Sequence, residues 1–216
     1  MIKMYDYWRS SACYRLRIGF NLKGISYESV SVNLHPDVRE HVSDRYKAIN
    51  PQQRVPAVEI DGQIHTQSMA ILDWMDMAYP EPAFLPEAPH ERLKAKAFAE
   101  TIACDIHPLN NMSVTNYLQN PAGVSPERVS DWYAMWVDRG FSAIEQALGE
   151  TAGSCCFGDT PTVADACLVP QVYNALRFEV DTAPYPKIMR VWEHCNRLEA
   201  FERAHPDRQP DSPAAA

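Results

Sequence analysis

The chain is expected to fold as a small mixed α/β layer followed by an all-helical domain, and three observations predict this. Short strand-like runs alternate with helical spacings through residues 1–79, in the order β-α-β-α-β-β-α. Pro80, Pro82, Pro86 and Pro89 then crowd residues 80–90, a density that reads as a linker. From 91 to 216 the periodic stretches all have helical spacing.

Each element has a local reason. Ile2–Tyr7 is a short apolar run and reads as the first strand. Cys13, Leu16 and Phe20 follow at helical spacing, and Lys23-Gly24 supplies a C-cap signal. Tyr27–Val32 alternates as a second strand. Residues 37–48 are polar and loosely helical, and Asn50 to Pro56 is a loop. Ala57–Ile60 and Gln63–Thr66 flank Asp61-Gly62, the strongest short hairpin signal. Ser68 can cap a helix reaching about Ala78. In the second half, Val129, Trp132, Trp136, Gly140, Ile144 and Leu148 form one stripe, and Trp132, Tyr133 and Trp136 read as core. A second stripe joins Ala164, Cys167, Leu168, Gln171, Val172 and Ala175. It opens at Thr162-x-x-Asp165, a capping box. Ile188, Val191, Trp192, Cys195 and Leu198 make the third. From about Pro206 the Pro- and Ala-rich end reads as an extended tail.

Charge narrows the function. Lys and Arg total 20 against 28 Asp and Glu, a net charge of −8, with no basic run. Nucleic-acid binding, which needs clustered cations on phosphates, is therefore not expected. An anionic substrate has to be caught by a few local arginines. No apolar run approaches the roughly 20 residues that span a bilayer, and the first residues do not resemble a secretory signal. Six cysteines show neither a C-x-x-C pair nor zinc spacing. They read as reduced thiols of a cytoplasmic protein without a metal centre.

The most informative stretch is Trp8-Arg9-Ser10-Ser11-Ala12-Cys13, at the turn from the first strand into the first helix. Two hydroxyls beside orphan helix amides suit a thiolate or carboxylate. The plain alternative is an ordinary N-cap. Gln67-Ser68 repeats the arrangement before a later helix. Arg9 and Arg177 are the candidates for binding carboxylates, since a guanidinium matches a carboxylate bidentately. One of Arg15 and Arg17 reads as an internal ion-pair partner, and Cys13 as a small packing residue.

Several motifs carry a family resemblance. They include Arg9-Ser10-Ser11 with Arg15-Leu16-Arg17-Ile18, Asn50-Pro51, Val55-Pro56-Ala57, Gln67-Ser68, Gly158-Asp159, Ala164-Asp165, Leu168-Val169-Pro170-Gln171, Arg177-Phe178 and Gln209-Pro210-Asp211. Together they resemble the zeta class of cytosolic glutathione transferases over almost the whole chain. Cys104-Asp105-Ile106-His107-Pro108-Leu109-Asn110-Asn111 is similar to the bacterial members. One position departs: the family most often reads Ser-Ser-Cys-Ser, and here Ala12 replaces that cysteine while Cys13 takes the next place.

The resemblance implies a thioredoxin-like glutathione-binding domain over 1–79, a linker over 80–90 and a helical substrate-binding domain over 91–216. It implies that Ser10 and Ser11 face the glutathione sulfur and that the Val55 backbone contacts the cysteinyl unit, with Pro56 cis. Gln67 and Ser68 would hold the γ-glutamyl carboxylate and His41 the glycine end. His107, Asn111 and Ser113 would line the cleft, while Arg9 and Arg177 would hold a small dicarboxylate and stabilise the enolate formed on it. The implied reaction is glutathione-dependent cis–trans isomerisation of maleylacetoacetate or maleylpyruvate to the fumaryl isomer. The expected form is a homodimer. A transferase or dehalogenase acting on α-halo acids, and a non-catalytic glutathione-binding protein, are the alternatives.

Overall fold

A computed structural model describes residues 1–215. The sheet is four-stranded, in the order β2-β1-β3-β4. β1 (Ile2–Asp6) runs parallel to β2 (Glu28–Ser31) and antiparallel to β3 (Ala57–Ile60). β3 pairs antiparallel with β4 (Gln63–Thr66) through the Asp61-Gly62 turn, where both residues have positive φ (51° and 79°). That is the backbone an Asp-Gly hairpin turn requires.

The helices of this part are α1 (Ser11–Leu22), α2 (Asp44–Ile49) and α3 (Ser68–Ala78). Lys23 caps α1, and Gly24 follows at φ 64°. α1 is buried almost all round, from Cys13 to Phe20, because α3 and α9 (Glu199–Ala204) both pack on it. Met4, Leu16, Ile18, Val58, Ile71, Leu72 and Met75 fill the core. The Lys23 ammonium is buried against Asp76 at 3.1 Å and donates to the carbonyls of Tyr79 and Pro82.

Packing divides the chain into two units. The first comprises Met1–Ala83 together with the residues from Arg197 on, and the second is Phe84–Asn196. The expected helical domain over 91–216 thus appears as a shorter unit whose last twenty residues are grouped elsewhere. The end from Pro206 is also not an extended tail. It forms 3₁₀ turns at Pro206–Arg208 and Pro213–Ala215, and Pro206, Gln209 and Ser212 are buried. Gln209 explains the compaction, since its amide donates to the carbonyls of Arg203 and His205.

The second unit contains α4 (Pro89–Glu100), α5 (Met112–Gln119), α6 (Pro126–Thr151), α7 (Val163–Arg177) and α8 (Pro186–Cys195). Pro89 sits in the first turn of α4, where a missing N–H costs nothing. Between α4 and α5 the chain widens into a π-helical turn over Thr101–Ile106, closed by the His107 N–H on the Ile102 carbonyl at 2.9 Å. Gly140 of α6 faces this turn, and a β-carbon there would collide with the Ile106 side chain. α7 is buried from Val163 to Val172, with the expected capping box between Thr162 and Asp165. The core stripe of α6 runs through Tyr133, Val137 and Phe141. Trp132 and Trp136 stay half-buried at its edge, so the sequence placed them too deep. No described helix is long and apolar enough to cross a membrane.

Candidate active site

Strand direction gathers the candidate residues of the first unit. Tyr5 of β1 lies beside Ala57 of β3, and Ala57 lies beside Thr66 of β4. The end of β1, the start of β3 and the end of β4 therefore share one edge of the sheet. From that edge emerge the turn carrying Ser10 and Ser11, the Val55–Pro56 bond and the Gln67-Ser68 entry to α3. β2 runs parallel to β1, so the chain leading to His41 also leaves from this edge.

Ser10 is the N-cap of α1, and its hydroxyl oxygen accepts from the Cys13 N–H at 3.3 Å. The ordinary-cap reading is therefore true; the cap uses an acceptor position of the hydroxyl, and the same side chain also hydrogen-bonds the Cys13 thiol. Ser11, the first residue of α1, is buried. Arg17 fixes the loop before them. It is fully buried and pairs with Asp6 at 2.8 Å, while Nη2 donates to the Trp8 carbonyl and Nε to the Ala204 carbonyl. Arg17 is thus the internal ion-pair partner. The Trp8 N–H donates to Asp211 at 3.1 Å, and the Ser31 hydroxyl donates to the same carboxylate oxygen at 3.0 Å. Asp211 escaped the sequence reading of site residues, because a carboxylate 203 residues from its partner carries no local signal.

Val55–Pro56 is cis, as the resemblance implied. Among the described residues neither the Val55 N–H nor its carbonyl has a hydrogen-bond partner, although Val55 is buried. An open backbone edge of this kind suits strand-like addition of a peptide. The loop before it is anchored at the Arg54 carbonyl, which accepts from Tyr46 Oη at 2.8 Å and Asn50 Nδ2 at 2.7 Å. Gln67 enters α3 at φ 69° and donates from Nε2 to Gln52. Ser68 is buried and accepts from Arg15 Nη1 at 2.8 Å. His41 is half-buried in a 3₁₀ turn, and its Nδ1 makes no hydrogen bond. Burial, with Arg39 adding to it, holds the His41 pKa below its usual value, which favours a neutral imidazole.

Arg9 lies over the Trp8 ring at 5.4 Å. In the second unit, Arg177 is the last residue of α7, is exposed, and lies over the Phe178 ring at 4.2 Å. Asn111 and Ser113 meet in one cap: Asn111 Oδ1 accepts from both the Ser113 N–H (3.0 Å) and its hydroxyl (2.9 Å) at the start of α5. His107 closes the wide turn four residues earlier.

Two clusters outside this set bear on reactivity. Cys13 is fully buried, and burial beside Asp6 pushes its thiol well above the ordinary value. It is a protonated packing residue and a poor nucleophile. Cys155, Asp165 and Cys195 bring possible ligand atoms within 4.8 Å of one another. The Asp165 carboxylate, however, is committed: one oxygen accepts from the Cys156 N–H at 2.8 Å, the other from the Thr162 N–H and hydroxyl at 2.7 and 3.0 Å. The Cys195 thiol is pushed up by its hydrogen bond with Cys155 and by burial, so this cluster reads as a helix cap surrounded by inert thiols.

Comparison with known proteins accords with this geometry. Residues 4–83 match the family model of the glutathione S-transferase N-terminal domain. The chain is 45% identical to maleylpyruvate isomerase of Ralstonia sp, covering 98% of this chain and 100% of that one. It is also 45% identical to maleylacetoacetate isomerase of Pseudomonas aeruginosa, covering 99% and 100%. Among solved structures, the holo form of maleylpyruvate isomerase, described as a bacterial zeta-class glutathione S-transferase, superposes with a TM-score of 0.94 at 45% identity, covering 97% of this chain and 99% of the other. Maleylacetoacetate isomerase from Methylobacterium extorquens, solved with malonate and GSH bound, gives 0.92 at 40% identity, covering 98% and 100%. Likeness of this depth along the full length leaves one assignment: the chain belongs to the zeta class of glutathione S-transferases.

Proposed function

We propose that the protein is a glutathione-dependent cis–trans isomerase that converts a maleyl keto acid, maleylacetoacetate or maleylpyruvate, to its fumaryl isomer. The observation that carries this reading is the sheet edge where the Ser10 cap, the open Val55 backbone and the Ser68 helix entry emerge together. Bound glutathione supplies a thiol for reversible addition to the conjugated double bond, which then rotates as a single bond, and glutathione is returned unchanged.

The residues present fit that group. The Ser10 hydroxyl, turned to the bound sulfur, and the first-turn amides of α1 favour a thiolate over a thiol, lowering its pKa. Ser11 flanks the same turn. The Val55 N–H and carbonyl pair with the cysteinyl backbone, Gln67 and Ser68 take the γ-glutamyl carboxylate, and the neutral His41 imidazole donates to the glycine carboxylate. His107, Asn111 and Ser113 are the cofactor-binding candidates of the second unit. Arg9 and Arg177 bind the substrate carboxylates and stabilise the negative charge that develops on the carbonyl oxygen during addition. A homodimer and a cytoplasmic location belong to the same reading.

The test is absorbance of purified protein with maleylacetone or maleylpyruvate, with and without glutathione. Conversion that requires glutathione without consuming it supports the isomerase. Inactivity together with chloride release from dichloroacetate moves the protein to the dehalogenase reading. Glutathione binding without either activity leaves a non-catalytic binding protein.

A further inference from the structure

Among the described residues three cationic side chains are buried: Arg17, Lys23 and Arg15. Two of them have a buried carboxylate partner, Arg17 in Asp6 and Lys23 in Asp76. Arg15, 2% exposed, has no carboxylate within ion-pair range. Its Nη1 donates to the Ser68 hydroxyl at 2.8 Å, and its Nε has no hydrogen-bond partner. A guanidinium carries its charge wherever it sits, and proteins rarely bury one unpaired.

The place of this charge matters. Ser68 opens α3, an eleven-residue helix, and the dipole of α3 already favours an anion at that end. Because the Ser68 oxygen accepts from Arg15, its own hydrogen turns away from the guanidinium and serves as a donor. Accepting from a cation also polarises that O–H and strengthens it as a donor. Arg17 shows what a purely structural arginine looks like in the same helix, with Nε, Nη1 and Nη2 all spent on protein oxygens.

We propose that Arg15 is a positioning residue for the glutathione subsite: a buried, carboxylate-free guanidinium that sets the Ser68 hydroxyl as donor to the α-carboxylate of the γ-glutamyl unit and is electrically completed by it. The inference rests on the reading that this carboxylate docks at the start of α3. Arg15 then confers the preference for a ligand bearing that carboxylate, and acts without touching it.

The experiment is calorimetric titration of the full-length protein with glutathione and with 4-aminobutanoyl-cysteinylglycine, which differs from glutathione only in lacking the γ-glutamyl α-carboxylate. Wild type is expected to favour glutathione by about 10–100-fold, the scale of a charge-assisted hydrogen bond. Arg15→Gln brings the two ligands within about threefold of each other, Arg15→Lys retains most of the preference, and adding Ser68→Ala to Arg15→Gln costs little more, because the two act as one unit. In the isomerisation assay Arg15→Gln raises the glutathione KM and leaves kcat at saturating glutathione nearly unchanged. A ratio in folded Arg15→Gln equal to the wild-type ratio overturns the role of Arg15 alone. A wild type that does not distinguish the ligands overturns the docking reading and the role of Arg15 with it. Should Arg15→Gln fail to fold, the wild-type NMR resonance of Arg15 Nε decides: it shifts with glutathione and not with the analogue, and equal shifts with both overturn the proposal.

Discussion

Ser10 caps α1, and the proposed function gives the same side chain a second task at the thiolate. Its oxygen accepts from the Cys13 N–H, so Ser10→Ala removes a cap and, under the proposed function, a thiolate donor as well. We expect a loss of about 0.5–2 kcal/mol in stability from the cap, seen in thermal melts, and a larger proportional loss in kcat/KM. A stability loss without an activity loss assigns Ser10 to the helix alone. The cysteines give a second expectation. Cys104 is exposed and the other five are buried, so a thiol reagent should label one cysteine quickly in the native protein and all six after denaturation. His205 gives a third. Its Nδ1 accepts from the Asp207 N–H, and burial holds its pKa below 6.5 despite the opposing charge of Asp207, with Arg17 and Arg208 reinforcing the burial effect. The unfolded chain therefore takes up the proton first. Stability from this group is present above about pH 6.5 and is lost as pH falls below that value. His41 acts in the same direction. Tm should drop between pH 7.5 and 5.5, and His205→Asn should flatten that slope.

At the level of elements, the sequence declared what is local. The Asp61-Gly62 hairpin, the Lys23-Gly24 end of α1 and the Thr162–Asp165 capping box are set by residues within a few positions of one another, and each was legible. The π-helical turn at Thr101–Ile106 was not, because the His107-Pro108 pair announces only that a regular helix must stop. Its partner is Gly140, read in the sequence as one more member of a stripe and found to be the gap that admits Ile106. Gly140→Ala should cost about 1–3 kcal/mol by overpacking, and Ile106→Ala in the same protein should recover part of that loss in a melt. A neutral Gly140→Ala would mean that the turn shifts freely. The candidate residues of the first unit were also legible, since they stand in short contiguous motifs. The separate fates of Arg15 and Arg17 were not, because two residues two apart on one helix look alike until their partners are placed.

For the molecule as a whole, the two termini belong to one unit. Asp211 holds the Trp8 N–H and the Ser31 hydroxyl, and the Ala204 carbonyl accepts from Arg17. Asp211→Ala should lower Tm and raise the glutathione KM, since the turn presenting Ser10 loses its outer anchor. Loss of a charged hydrogen-bond acceptor is worth about 1.5–3 kcal/mol. An unchanged KM would show that Arg17 holds the turn unaided. The same feature sets an order of events during synthesis. The ribosome emits the Ser10 turn about 200 residues before its anchor, so the first unit cannot close until α9 and Asp211 have emerged. At about 5–20 residues per second, α1 waits on the order of ten seconds or more for α9. A prematurely terminated chain would expose the buried face of α1 and leave Arg17 short of a carbonyl. A chain that stops before α9 thus lacks the closed first unit and is left with the apolar surface that chaperones and proteases bind.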